Sequence, residues 1–173
     1  MTLPEHRTLL SAALLALLVS ACGNSEEAAS EALAEQALEA STGADVDIEE
    51  EDGVHRVTAR TEQGELVHSS GENVPLPEGF PGDVTLPASY QVVSVMTMGP
   101  ATSVVLRSPE PASEIFSQIR GGQSGAGWKE TMSMQGADGS MLGFEKDGRS
   151  LLVNLRDDLD GQSVVSLSLQ SAD

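Results

Sequence analysis

The sequence has few aromatic residues and few cationic residues. Aromatic residues make up 3% of the 173 positions, whereas 39% are hydrophobic, so one modest core of aliphatic side chains is expected. Lys and Arg number 9 against 27 Asp and Glu, which gives a net charge of −18. This balance disfavours binding to nucleic acid and adsorption onto anionic lipid headgroups, because both need a basic surface.

Long apolar runs are also lacking. The run from Leu9 to Val19 is well short of the roughly twenty residues that a helix needs to cross a bilayer. It follows Arg7 and ends at the small residues Ser20 and Ala21, so it has the three parts of a secretory signal. Residues 1–21 are therefore predicted to be a cleaved signal peptide.

A single cysteine, Cys22, follows this segment and has no possible disulfide partner within the chain. The run Val19-Ser20-Ala21-Cys22 resembles the lipobox of bacterial lipoproteins, with Val19 in place of the more usual Leu. The resemblance implies a diacylglycerol thioether and an N-acyl chain on Cys22, which together anchor a protein stably. Gly23 stands where Asp would favour the inner membrane, so the resemblance implies the periplasmic side of an outer membrane. The alternative is an ordinary signal peptide that leaves Cys22 as a free thiol.

After the anchor, residues 22–43 are predicted to form a flexible tether and an acidic helix. Ala and Glu dominate from Ser25 to about Ala40, and Gly43 is a natural stop. The apolar stripe of this helix is thin, so the helix either packs weakly or serves as a frayed stalk. The stripe consists of Ala29, Leu33, Ala37 and Ala40.

Residues 44–73 are predicted to form a small β-meander. If Asp52 and Gly53 occupy the centre of the first turn, Glu49 lies opposite Arg56 and Asp45 opposite Arg60 on one face. The same register places aliphatic residues together on the other face, so charge pairing and burial agree. These aliphatic pairs are Ile48 with Val57 and Val46 with Ala59.

Residues 74–89 contain four prolines and are predicted to be extended. They either connect two modules or lie along the body of the second module, residues 90–173. In that main domain we expect strands at 90–98 and 102–107, a helix at 112–123, and four strands at about 128–135, 140–146, 150–157 and 163–170. The predicted fold is α+β, with an antiparallel sheet of five or six strands covered by one helix. The order ββαββββ is similar to that of small uncharacterised envelope lipoproteins, a resemblance that implies no activity.

Two Met-x-Met elements are the sharpest candidates for chemistry: Met96 with Met98, and Met132 with Met134. Residues i and i+2 of a strand point the same way, so each element presents two thioethers, which suit Cu(I). The favoured interpretation is packing, since Met fills gaps in a core that lacks aromatics. Met132 and Met134 share the alternation of Trp128 and are predicted to face the core.

The acidic run Asp45–Asp52 is a weaker candidate for calcium, because its carboxylates lie along a strand rather than around a point. His55 and His68 have no cysteine partner and no marked serine, so no enzyme is predicted. The sequence favours a non-enzymatic, lipid-anchored interaction or structural module with a basic envelope protein as partner. The alternative is a lipoprotein that binds a small ligand or a metal, copper or calcium. No cofactor is expected beyond the lipid on Cys22.

Overall fold

The computed structural model describes residues 25–61 and 64–171, and one antiparallel sheet of nine strands dominates it. The α+β class is confirmed, but the sheet is larger than the five or six strands predicted. Cys22 and the predicted signal peptide lie outside the described residues. The elements are α1 (Ser25–Thr42), β1 (Asp45–Glu51), β2 (Val54–Thr61), β3 (Gly64–Gly71), β4 (Gln91–Met98), β5 (Ala101–Ser108), α2 (Ala112–Gly125), β6 (Lys129–Gly136), β7 (Gly139–Lys146), β8 (Arg149–Asp157) and β9 (Ser163–Gln170). The strand order is β1-β2-β3-β4-β5-β9-β8-β7-β6.

The first hairpin has the predicted register. Glu49 lies opposite Arg56, Asp45 opposite Arg60 and Ile48 opposite Val57. Asp52 and Gly53 both adopt positive φ, 51° and 76°, as a two-residue turn between twisted strands requires.

The larger sheet arises because β3 pairs with β4. Leu66 lies opposite Met98 and His68 opposite Met96, so the meander and the strands of residues 91–170 form one continuous sheet. The intervening residues 72–90 double back and place the two strands side by side. Such a pairing brings together residues distant in sequence, and the pattern within each strand does not specify it.

The proline-rich segment lies along the body of the protein, which is one of the two arrangements left open by the sequence. Val74 and Val84 are buried within the main hydrophobic cluster. Leu76, Phe80 and Leu86 are partly buried against the same cluster. The backbone N–H of Val74 donates to the Val92 carbonyl at 3.1 Å, so the segment is also bonded to the sheet.

The main core lies between α2 and one face of the sheet. Ile115 and Ile119 of α2 are fully buried, and α2 contacts the four strands β6 to β9. Its amino end is held by Asp157 of β8, whose Oδ1 accepts the Ala112 N–H at 3.0 Å. Fully buried side chains of the sheet complete the core: Val104, Leu106, Leu142, Phe144, Leu151, Val153, Leu155, Val165 and Leu167.

α2 continues to Gly125, two residues beyond its predicted end at Gln123. Gly122 lies inside the helix, and the close approach of Thr85 is the reason that this position is a glycine. A Cβ at Gly122 would lie 2.4 Å from Thr85 Oγ1, so only glycine allows the proline-rich segment to approach the helix this closely.

α1 lies along the outer edge of β1. Glu35 Oε1 accepts the Ile48 N–H at 2.8 Å, and Glu39 Oε1 accepts the Val46 N–H at 3.4 Å. These N–H groups belong to an edge strand and point away from β2. The helix therefore docks through its carboxylates, while Leu33 of the predicted apolar stripe is 69% exposed. Carboxylates four residues apart on a helix match alternate residues of a strand, because both spacings are about 6 to 7 Å.

Candidate functional site

The face of the sheet opposite α2, here called the open face, is the candidate functional surface. Paired residues of an antiparallel sheet point to the same side, so the registers define a row across all nine strands of this face. The row consists of Ile48, Val57, His68, Met96, Ser103, Ser168, Leu152, Gly143 and Met132. No helix within the described residues covers the middle of this row.

The prediction that Met132 and Met134 face the core is wrong. A bulge between Glu130 and Met132 places one extra residue in β6, so Glu130 pairs with Phe144 and Met132 with Gly143. The bulge reverses the alternation after Trp128, which itself is buried at 4% exposure. Met132 and Met134 therefore lie on the open face, and Met134 is 61% exposed.

A groove of about 530 Å³ occupies the open face. Met96 and Met98 of β4 line one side, and Met132 of β6 lines the other. Its other open-face lining residues are mostly small or polar: Ala101, Ser103, Thr131, Gly143, Glu145, Ser150, Leu152, Ser168 and Gln170. A cavity of this size is typical of ligand sites.

Gly143 sets the width of the groove beside β6. A Cβ at this position would lie 3.0 Å from Thr131 Oγ1 and 3.2 Å from Met132 Cβ. The bulge turns Thr131 and Met132 towards the same side, and the absent side chain of Gly143 leaves space for both. Met134 lines a separate concavity with Met141 and Asn154.

The two Met-x-Met elements do not converge on one point. β4 and β6 are separated by five interstrand steps in the sheet, about 24 Å along a flat sheet at roughly 4.8 Å per step. Curvature brings Met96, Met98 and Met132 to one groove, but on its opposite sides. The hypothesis of one copper ion shared by both elements therefore has no geometric support.

Sequence reasoning missed a contact between His68 and Ser94. His68 Nε2 lies 3.0 Å from Ser94 Oγ, and both residues are partly buried on the open face. Within the described residues no carboxylate contacts the other ring nitrogen, so an acid that would orient the imidazole for catalysis is lacking. No local sequence signal could have found this pair, because it depends on the β3–β4 register, which places Ser94 diagonally from His68.

The acidic residues Asp45, Asp47, Glu49 and Glu51 lie on the face opposite to the open face. Within residues 25–61 and 64–171, no group of three His, Cys, Asp or Glu side chains is close enough to hold a metal ion. Arg60 lies 3.7 Å from Asp45 and 3.1 Å from Glu65, so part of this charge is paired.

A charge cluster ties the proline-rich segment to the turn between β7 and β8. Asp83 accepts hydrogen bonds from Arg149 and Lys146, and these cations hold the pKa of its carboxyl well below the usual range. Trp128 Nε1 donates to the Asp83 carbonyl at 3.0 Å, and the Arg149 guanidinium lies 4.7 Å from the Trp128 ring centroid. The side chains of this cluster all have partners within the protein, so the cluster stabilises the side of the sheet that α2 covers. The open face remains the candidate functional surface.

No protein-family model, curated protein or solved structure matches this chain. Among the described residues, neither helix combines the length and apolar character needed to cross a membrane.

Proposed function

We propose that this protein is a lipid-anchored envelope lipoprotein that acts as a non-enzymatic interaction module. Its anchor would be the diacylglycerol and N-acyl chains on Cys22, on the periplasmic side of an outer membrane. Its interaction surface is the groove of the open face, and its partner is a basic envelope protein that inserts an apolar side chain into that groove.

The observation that carries this proposal is the exposure of large apolar side chains around one concave surface. Met96 and Met98 are 42% and 56% exposed, and Leu152 lies between them and Met132 along the row. Flexible thioether side chains adapt to varied apolar partners and are common on binding surfaces. Exposed apolar groups around a groove mark an interface more often than chance.

Charge supports a basic partner. The net charge is −18, and Glu145 is the one charged residue among the described residues that line the groove. No partner for Glu145 lies within ion-pair distance among the described residues, although Lys129 is opposite it in the ladder. A negative surface accelerates the approach of a basic protein and repels acidic ones.

The anchor is tested by Cys22→Ser. Without the thiol the acyl chains cannot be attached, so the variant should leave the membrane fraction and become soluble in the periplasm. A Ser25→Ala variant is the matched control and should stay with the membrane. Retention of Cys22→Ser in the membrane fraction would contradict the anchor.

The groove is tested by a photocrosslinking residue placed at Met98 in intact cells, with the same residue at Glu72 as control. One basic protein should be captured at Met98 and not at Glu72. Its binding to the purified chain should weaken with added salt and with Leu152→Gln, which places a polar amide in the groove without changing its charge. Equal capture at both positions, or binding that Leu152→Gln leaves unchanged, would rule out the groove as the interface.

A further inference from the structure

His68 of β3 and two methionines of β4 form a compact trio on the open face. His68 is the direct ladder partner of Met96, and Met98 lies two residues further along the same side of β4. Directly opposite residues have Cβ atoms about 4.5 to 5.5 Å apart, and alternate residues of a strand are about 7 Å apart. The long, unbranched side chains of Met96 and Met98 can therefore bring both sulfur atoms beside the imidazole.

The two sulfur atoms are accessible, and packing does not account for them. Met96 is 42% exposed and Met98 is 56% exposed, whereas Val95, which precedes Met96 in β4, is 6% exposed on the core side. Their thioether sulfur atoms are soft donors, which bind soft metal cations. The sequence favoured packing in the core as the role of the methionines, but Met96 and Met98 are not part of the core.

The contact with Ser94 orients the imidazole of His68 for metal binding. His68 Nε2 lies 3.0 Å from Ser94 Oγ, and in the tautomer in which Nε2 donates to this oxygen, Nδ1 carries the lone pair. Nδ1 has no hydrogen bond or ion pair with the described residues. Metal-binding histidines commonly donate their second ring N–H to a neighbouring acceptor, which fixes the tautomer and the ring orientation.

The chemistry of the three groups selects a soft monovalent cation. Two thioethers and one imidazole suit Cu(I), whereas calcium and magnesium need several carboxylate or carbonyl oxygens. The open-face residues of β3 and β4 include no carboxylate: they are Leu66, His68, Ser70, Ser94, Met96 and Met98. The net charge of −18 raises the local concentration of any cation.

We propose that His68, Met96 and Met98 bind one Cu(I) ion, with Ser94 as the residue that positions the imidazole. The site is confined to β3 and β4 and does not require Met132 or Met134. It shares Met96 and Met98 with the groove, whereas His68 and Ser94 do not line the groove, so His68→Ala tests the metal site without changing the groove lining.

The test is an anaerobic titration of the full chain carrying Cys22→Ser, which removes the competing thiol. Cu(I) is supplied through a chromogenic chelator, and Ag(I) serves as a redox-stable probe. One ion should bind per chain, and Ag(I) should shift the methyl NMR signals of Met96 and Met98. His68→Ala and the double variant Met96→Leu/Met98→Leu should each weaken binding at least about tenfold.

The matched control is Met134→Leu, which removes a thioether that is 61% exposed on the same face. It should leave affinity and stoichiometry unchanged, as should Leu152→Gln, which makes the groove polar without changing its charge. Leu replaces Met at similar volume, so the double variant should keep its fold and its circular dichroism spectrum. Absence of binding, or equal losses in Met134→Leu and Met96→Leu/Met98→Leu, would overturn the site. Binding insensitive to His68→Ala would also overturn it.

Discussion

Asp83 and Arg149 form two parallel hydrogen bonds, Nη1 to Oδ1 at 2.9 Å and Nη2 to Oδ2 at 2.7 Å. Lys146 adds a third at 2.7 Å to Oδ2 and also donates to the Ala126 carbonyl at 2.8 Å. One carboxylate thus joins the proline-rich segment, the β7–β8 turn and the end of α2. The side chain of Asp83 is 28% exposed, so solvent screens these bonds only in part.

Asp83→Asn should lower the free energy of unfolding by about 2 to 3 kcal/mol at pH 7, because it weakens hydrogen bonds to two cations. The folded-state pKa of Asp83 lies well below the unfolded value, so its stabilisation is complete above the unfolded pKa of about 3.9. It is lost as pH falls towards the folded pKa. Denaturant unfolding between pH 7 and pH 2.5 should therefore show a steeper loss in the wild type than in Asp83→Asn.

Asp138→Asn is the control for this prediction, since Asp138 is an exposed turn residue without an ion pair to the described residues. It should leave both the stability at pH 7 and the acid dependence close to the wild type. Parallel acid profiles for the wild type and Asp83→Asn would contradict the assigned role of Asp83.

Gly122→Ala should destabilise the protein by about 1 to 3 kcal/mol, because the added methyl group would overlap Thr85 of the proline-rich segment. Gly121→Ala is the matched control in the same helix. A Cβ at Gly121 meets nothing within 4 Å, so this variant should be neutral or up to about 1 kcal/mol more stable through helix propensity. Thermal unfolding of both variants gives the comparison, and equal midpoints would contradict the close approach.

Glu35→Ala should expose the edge of β1 without lowering the intrinsic helix propensity of α1. The Ile48 N–H loses its acceptor, so its amide hydrogen exchange should accelerate relative to the wild type. Gln36→Ala, on an exposed position of the same helix, should leave the exchange of Ile48 unchanged. If both variants exchange alike, the carboxylate does not hold the helix at this edge.

Arg60→Glu should lower the free energy of unfolding by about 1 kcal/mol, since exposed ion pairs contribute little each. It replaces pairs with Asp45 and Glu65 by repulsion. Arg56 lies opposite Glu49 in the ladder, but no ion pair joins it to the described residues, so Arg56→Glu should cost less. Chemical denaturation at low and at 1 M salt should show that the difference between the variants decreases with screening, and a difference independent of salt would contradict the ion pairs.

Local patterns predicted the elements well. Asp52 and Gly53 specify one turn conformation, and that turn fixes the register of β1 and β2 for their whole length. The predicted bounds of β8 and β9 lie within one residue of those observed, because aliphatic residues alternate along both strands and Asp147-Gly148 and Asp160-Gly161 form the turns before them. Each of these features depends on residues within about ten positions of one another.

Nonlocal features were not predicted for physical reasons. His68 meets Ser94 only because β3 pairs with β4 across the proline-rich segment, and the sequence pattern of β3 does not select this partner strand. The face of Met132 depends on a bulge, which inserts one residue and leaves no distinctive composition. Asp83 finds Lys146 and Arg149 more than sixty positions away. The candidate site is assembled by such contacts, so the sequence supplied its methionines but not its arrangement.

The position of α1 has a mechanical consequence. Glu35 contacts Ile48 while Glu39 contacts Val46, so α1 runs antiparallel to β1, and its amino end lies towards the turn at Asp52. A force applied at that amino end along the helix axis would load both carboxylate contacts together, in shear. Contacts that share a load resist rupture better than contacts opened one after another. Motion of the proposed anchor on Cys22 would therefore load the contacts between α1 and β1 before it displaced the groove.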